Sequence, residues 1–256
     1  FGAALATSLG YIVGAVMILA YLFHPERILH VCRVKLSKKS LYLTIRNVGY
    51  MCRLGFSSFL CETAIATMMF VGNYVFIRYL GEDGVAAYSI ACYFFPIAFM
   101  VYNAIAQSAQ PILSYNYGAK CTARVRETFR LALTTAILCG AGVFLLTWIF
   151  SHQIVGMFLD SSYPAYNIAV KGLPLFASGF VFFGINIVSI GYFQSLERDC
   201  PAMIVTLLRG FALILLCFWI LPIIWGSWGI WLAVPMSELL TFLFVLVIYW
   251  LENRRN

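Results

Sequence analysis

Residues 84–119 read GVAAYSIACYFFPIAFMVYNAIAQSAQPILSYNYGA, 36 positions without one charged side chain. An apolar run longer than about 18 residues reads as a membrane-spanning helix. At about 1.5 Å per residue an unbroken helix of this length would measure roughly 54 Å, well beyond a hydrocarbon core of about 30 Å. Its second half is also polar, with Tyr102, Asn103, Gln107, Ser108 and Gln110. The span is therefore expected to bend, with Pro96 and Pro111 as the obvious points, or to run out into water.

The rest of the chain has the same character. Of 256 residues 62% are hydrophobic and 11% are charged, against about 25% charged in soluble domains. Mean hydropathy is +0.89. That much apolar surface excludes a cytosolic enzyme, and disorder is excluded because disordered chains are polar and charge-rich. Six further spans follow from uncharged runs: Phe1 to Phe23; Gly55 to Ile77, interrupted by Glu62; one within Leu131 to Leu159; one within Lys171 to Leu196; Ala202 to Pro222; and Ile230 to Trp250, which contains Glu238. Gly226-Ser227-Trp228-Gly229 reads as the turn between the last two. The fold class is all-α: a polytopic transmembrane helix bundle of seven spans. The opening run has neither a basic region before it nor a small-residue cleavage site, so it reads as an internal span and the chain as part of something longer.

Lys and Arg orient the spans. Segment 24–53 carries seven: Arg27, Arg33, Lys35, Lys38, Lys39, Arg46 and Arg53. The loop after the third span carries Lys120, Arg124, Arg126 and Arg130, the loop after the fifth Arg198, and the tail Arg254 and Arg255. The alternate loops hold Arg78 and Lys171, and Arg209 lies inside a span. The heavily basic side is cytoplasmic by the positive-inside rule. The net charge of +7 then reports topology, and no nucleic-acid partner is expected. Segment 24–53 reads either as an amphipathic helix on the inner surface, with Leu41, Leu43, Ile45, Val48 and Met51 among polar residues, or as a basic loop. The organisation expected is 1–23 as the last helix of an N-terminal lobe, 24–53 as a cytoplasmic linker and 54–256 as a six-helix lobe.

Catalytic and metal chemistry find little support. H-E-x-x-H, G-x-S-x-G and Walker-type signatures are absent from the sequence, and His152 stands alone in the outer part of the fourth span. The eight Cys form no C-x-x-C pair and read as buried thiols. His24 and His30 are six apart, which does not bring them together on one helical face, so no metal site with Cys32 is expected.

Two acids lie inside spans. Glu62 and Glu238 are each about 12 Å deep, entering from opposite sides. A carboxylate there costs on the order of 2.5–3.5 kcal/mol on insertion scales. It is tolerated by facing a wet cavity, by binding a cation or proton, or as a protonated group hydrogen-bonded between helices. Ser58, Glu62, Ala66, Met69 and Asn73 fall on one helical face, and Asn103, Gln107, Gln110 and Ser114 on another. Polar stripes of this kind are costly against lipid, so both point into the bundle. Asn186 adds an amide in the fifth span. Met68, Met69, Met100, Met203 and Met236 read as ordinary packing or as a soft cavity lining.

These residues resemble a known family. Gly55-Phe56-Ser57-Ser58-Phe59-Leu60-Cys61-Glu62 resembles the opening of the seventh helix of multidrug and toxic compound extrusion (MATE) transporters. The stretch from Gln107 to Lys120, Q-x-x-Q-P-I-x-x-Y-N-Y-G-A-K, resembles the end of their eighth helix and the following loop. Gly229-Ile230-Trp231-Leu232-Ala233-Val234-Pro235-Met236-Ser237-Glu238 is similar to the start of their twelfth. The resemblance covers essentially the whole chain. It implies the sixth helix, the linker and the C-terminal lobe of a twelve-helix, two-lobe transporter in the cytoplasmic (inner) membrane of a bacterium. It implies antiport, in which a Na⁺ or H⁺ gradient drives export of cationic, amphipathic drugs, with no cofactor beyond the coupling ion. Its partners would be the lipid bilayer, small-molecule drugs and the N-terminal lobe. Glu62 would take part in cation coupling. Many relatives carry a second acid in the tenth helix, but the fifth span here has none, which leaves Glu238 as the available substitute.

Three other readings compete. A flippase for lipid-linked saccharides, from the same superfamily of folds, would line its cavity with several basic residues, and Arg209 is the single basic residue deep in a span. A membrane-embedded transferase or hydrolase would need clustered catalytic groups. A non-transporting scaffold has no positive support.

Overall fold

The computed structural model of the protein describes residues 2–23 and 37–253. The helices are α1 (Gly2–Leu22), α2 (Lys38–Gly118), α3 (Thr122–Ile149), α4 (Ser151–Gly156), α5 (Pro164–Ala177), α6 (Phe180–Ser195), α7 (Asp199–Leu207) and α8 (Leu213–Asn253). A π-helical turn, Leu208–Ala212, joins α7 to α8. Two compact units are present, residues 1–50 and 51–256.

In the first unit α1 is apolar on all its faces, and its side chains, such as Tyr11, Val16 and Met17, are exposed. A helix with no polar face suits lipid rather than water. The start of α2 is set by Ser37, whose Oγ accepts the backbone N–H of Ser40 at 3.2 Å, the usual N-cap arrangement. Residues 38–53 of the expected linker are helical. Residues 24–36, with His24, His30 and Cys32, lie outside the described residues.

In the second unit two glycines turn long helices into hairpins. Gly81 has φ 67° and ψ −157°, a conformation that suits a residue without Cβ. Beyond it the Tyr88 hydroxyl donates to the Met68 carbonyl at 3.2 Å, and its ring stacks on Phe76 at 4.3 Å. In a straight helix residues 68 and 88 would be about 30 Å apart, so the chain doubles back. Gly226 (φ 56°, ψ −133°) does the same in α8, bringing Gly229 against the Leu221 carbonyl. The turn read at 226–229 is therefore present. The bend expected at the prolines is not where the break falls. Among the residues of α2, Gly81 is the one with non-helical backbone angles, and the helix carries on through Pro96 and Pro111. Neighbouring helices can satisfy the backbone carbonyls that proline frees.

The fifth uncharged run is a bent pair: α5 and α6 meet at 41°. Among the described residues, four helices are long and apolar enough to cross a membrane, or five with this pair as one span. The core is aromatic. Phe95 stacks on Phe183 at 4.5 Å, and Tyr102 meets Phe183 edge-on at 5.4 Å. Phe76 meets Trp231 edge-on at 4.8 Å, tying the two hairpins together. α3 packs closely on α6 where Gly140 faces the backbone of Val181. Trp148, Trp219, Trp228 and Phe70 are exposed, as expected of side chains that face lipid. His152 is not isolated: the Tyr166 hydroxyl donates to its backbone carbonyl and lies 3.2 Å from its Nδ1.

Candidate functional site

Two polar clusters border the helical arm that carries Glu62. The first is a cavity of about 150 Å³ lined by Ser58, Cys61, Glu62, Asn103, Gln107, Gln110 and Gln194, with Phe99, Ile187 and Gly191 among its apolar walls. Five of the expected site residues therefore meet: Ser58 and Glu62 from the first arm of α2, and Asn103, Gln107 and Gln110 from the second. The geometry follows from the Gly81 hairpin, which sets the two polar stripes side by side. Glu62 is exposed at this cavity.

Gln194, near the end of α6, was not singled out from the sequence. Its side-chain N–H donates to Ser58 Oγ at 3.1 Å, and its Oε1 accepts from Gln110 Nε2 at 3.2 Å. It closes a polar chain across three helical segments. The available signal was an amide in an otherwise apolar run, since a buried amide in a span needs a partner.

The second cluster is buried. Arg209 Nε donates to Glu238 Oε1 at 2.8 Å, and Asn186 Nδ2 donates to Glu238 Oε2 at 2.8 Å and to the Glu238 carbonyl at 2.9 Å. The Arg209 guanidinium also lies over the Phe183 ring, 4.5 Å from its centroid, a favourable cation–π placement. Arg209 and Glu238 are each 3% exposed and Asn186 is fully buried. The π turn supplies Arg209, and such turns recur at functional positions. Asn186 and Glu238 thus lie together, away from the cavity that Glu62 lines. Glu238 meets the cost of burial through an internal cation and an amide rather than through a wet cavity.

Cys61 connects the clusters. It lines the cavity, and its Sγ is 3.6 Å from Thr206 Oγ1, one turn before Arg209. Met69 and Asn73 do not line the cavity. Met69 packs half-buried against the core, and Asn73 donates its side-chain N–H to the Met69 carbonyl of its own helix at 2.9 Å.

Comparison with known proteins agrees with this architecture. Residues 58–219 match the MatE family model. A probable multidrug resistance protein NorM of Rhizobium meliloti (strain 1021) is 27% identical over 161 residues, which cover 59% of this chain and 34% of that protein. A probable NorM of Pseudomonas aeruginosa is 26% identical over 185 residues, covering 66% of this chain and 36% of that protein. Among solved structures, an outward-facing multidrug resistance MATE family transporter of the MOP superfamily superposes with a TM-score of 0.82 at 20% identity. A MATE in complex with MaL6 superposes with 0.83 at 19%. Each of these two covers 96% of this chain and 55% of the solved chain. The chain thus spans about a third of the curated relatives it matches and about half of the solved ones. A family of transporters rather than enzymes accords with a sequence that lacks hydrolase signatures. With the matched segment covering more than half of its length and an all-helical fold carrying several membrane-length apolar helices, the chain is an integral membrane protein of the MatE family.

Proposed function

We propose that the chain forms part of a secondary multidrug exporter of the bacterial inner membrane, in which a Na⁺ or H⁺ gradient drives efflux of cationic, amphipathic compounds. The observation that carries this reading is Glu62, an in-span carboxylate opening onto a cavity walled by Ser58, Asn103, Gln107, Gln110 and Gln194, in a chain whose relatives are named multidrug resistance proteins. A carboxylate at a polar cavity can exchange a cation or proton, and the amides can order water or a polar drug group. Glu62 is assigned the coupling role. Glu238, fixed by Arg209 and Asn186, supports the packing of α6 and α8.

The organisation that goes with this reading is seven spans, with residues 1–23 as the last helix of an N-terminal lobe, 24–53 as a cytoplasmic linker and 54–256 as the C-terminal lobe. The two hairpins and the bent α5–α6 pair support that count. A saccharide-lipid flippase is disfavoured because Arg209 is engaged by Glu238 and none of the cavity's lining residues is basic. The test is dye export by the intact protein in proteoliposomes. Export that follows an imposed Na⁺ or H⁺ gradient and stops when the gradient is collapsed supports the reading, and export indifferent to both gradients rejects it.

A further inference from the structure

A separate pocket of about 270 Å³ is bordered by both hairpin turns and by the first half of α5. Leu80 comes from beside the Gly81 turn, Asn167 and Lys171 from α5, and Ser227, Trp228 and Trp231 from the Gly226 turn and the arm after it. These are the three connections that hold few basic residues, which the charge pattern assigns together to the outer side. In the folded chain they meet around one opening.

The lining combines one cation with neutral donors. Asn167 and Lys171 are four positions apart, so they share a face of α5. Both are exposed at the pocket, as is Ser227. Their ammonium, amide and hydroxyl groups all donate hydrogen bonds. Glu82 and Asp83 are close in sequence to Leu80, but neither lines the pocket. Among the described residues no carboxylate forms an ion pair with Lys171. The one charge in the lining is therefore positive, and the guest it favours is an anion.

The apolar side of the pocket is built in advance. Trp231 is 4% exposed and meets Phe76 edge-on at 4.8 Å. Its indole lies against Gly172, where a Cβ would collide with the ring. Trp228, on the rim, is exposed, as are Tyr163 and Trp225 nearby in sequence. Exposed Trp and Tyr at the ends of spans mark the membrane–water interface. Lys171 is seven residues beyond Pro164, the start of α5, or about 10 Å along the helix. An anion held at that height, next to an exposed indole, can carry acyl chains into the bilayer.

We propose that this pocket binds the phosphate of an anionic phospholipid of the outer leaflet, with Lys171, Asn167 and Ser227 donating to its oxygens and the acyl chains leaving past Trp228. Lys binds phosphate as a compact point charge, and the volume suits a headgroup rather than a whole lipid. The site is distinct from the cavity of Glu62, and the proposal is independent of which compound the protein exports. The leaflet follows from the orientation given above, which thiol labelling tests separately.

The experiment is native mass spectrometry of the intact, detergent-purified protein titrated with dioleoylphosphatidylglycerol. Dioleoylglycerol, which has the same chains and no phosphate, and inorganic phosphate are the comparison arms. Phosphatidylglycerol is expected to give one saturable adduct, and dioleoylglycerol to bind at least about tenfold more weakly. Lys171→Gln should weaken the first adduct by roughly fivefold, and Asn167→Leu by roughly threefold. Arg78→Gln, at the other basic residue of the outer side, which does not line the pocket, should leave it within about twofold. Lys171→Arg retains the charge and should recover most of the affinity, which separates lost charge from lost folding. Equal binding of phosphatidylglycerol and dioleoylglycerol would overturn the proposal, as would equal loss in the Arg78→Gln and Lys171→Gln variants. Full displacement of the lipid by inorganic phosphate would overturn the lipid assignment.

Discussion

Arg209 and Glu238, 29 positions apart, form a 2.8 Å ion pair in which each residue is 3% exposed. The pair joins the π turn to the second arm of α8, and Asn186 ties it to α6. It therefore holds three helical segments together at one point. The other in-span acid, Glu62, lies on the cavity instead. The two in-span carboxylates have different surroundings, and different behaviour follows from each.

Removing one member of a buried pair leaves an uncompensated charge, which costs about 3–5 kcal/mol. Glu238→Ala is expected to lower the thermal unfolding midpoint of the detergent-purified protein clearly, whereas Arg209→Met combined with Glu238→Leu should recover most of the loss. A Glu238→Ala protein that melts with the parent would show that the pair contributes nothing.

Gly140 sits where α3 approaches α6. A Cβ there would lie 2.8 Å from Val181 Cα, a backbone atom that cannot swing aside. Gly140→Val is expected to cost about 1–3 kcal/mol through overpacking, read as reduced thermal stability. Gly142, with open space around it, should accept Ala with little change, so equal effects at the two positions would contradict the packing described.

Gln107 and Gln194 test the cavity. Gln107→Leu should change which dyes are exported more than it changes protein level, because the residue lines the cavity and is exposed. Gln194→Leu removes the link between Ser58 and Gln110 and should do the same. Unchanged dye preference in both variants would place substrate contacts elsewhere.

Orientation is tested by a single cysteine at position 256 in a background without the native cysteines. An impermeant thiol reagent added to intact cells should leave it unlabelled, and external labelling would reverse the topology drawn from the basic loops.

The uncharged runs made the helices legible, because a charged residue in lipid is costly wherever it lies. The turn at Gly226 was legible from its glycines. The Gly81 break occurs between two uncharged runs, beside Glu82 and Asp83, and the prolines of 84–119 pointed to bends that the helix does not need. Side-by-side polar stripes brought Ser58, Glu62, Asn103, Gln107 and Gln110 to one cavity, as their periodicity suggested. Met69 and Asn73 share the heptad-like face of Glu62, but they lie farther along the arm, toward the hairpin, where that face no longer borders the cavity. The pairing of Arg209 with Glu238 was less legible because it joins separate helices. The signal was present in two opposite charges deep in adjacent spans, which favour each other's company. Gln194 was missed because one amide shows no periodicity, and its role depends on where α6 crosses the α2 hairpin.

The coupling role of Glu62 is tested most directly by ion-gradient-driven dye efflux from proteoliposomes, comparing Glu62→Gln with the parent and with Glu238→Gln at matched incorporation. Glu62→Gln keeps the shape and most of the hydrogen bonding but removes the titratable charge. It is expected to insert normally and to lose gradient-driven efflux, while Glu238→Gln loses less efflux at equal protein. Undiminished gradient-driven efflux by Glu62→Gln would contradict the coupling role and leave Glu62 as a polar wall residue.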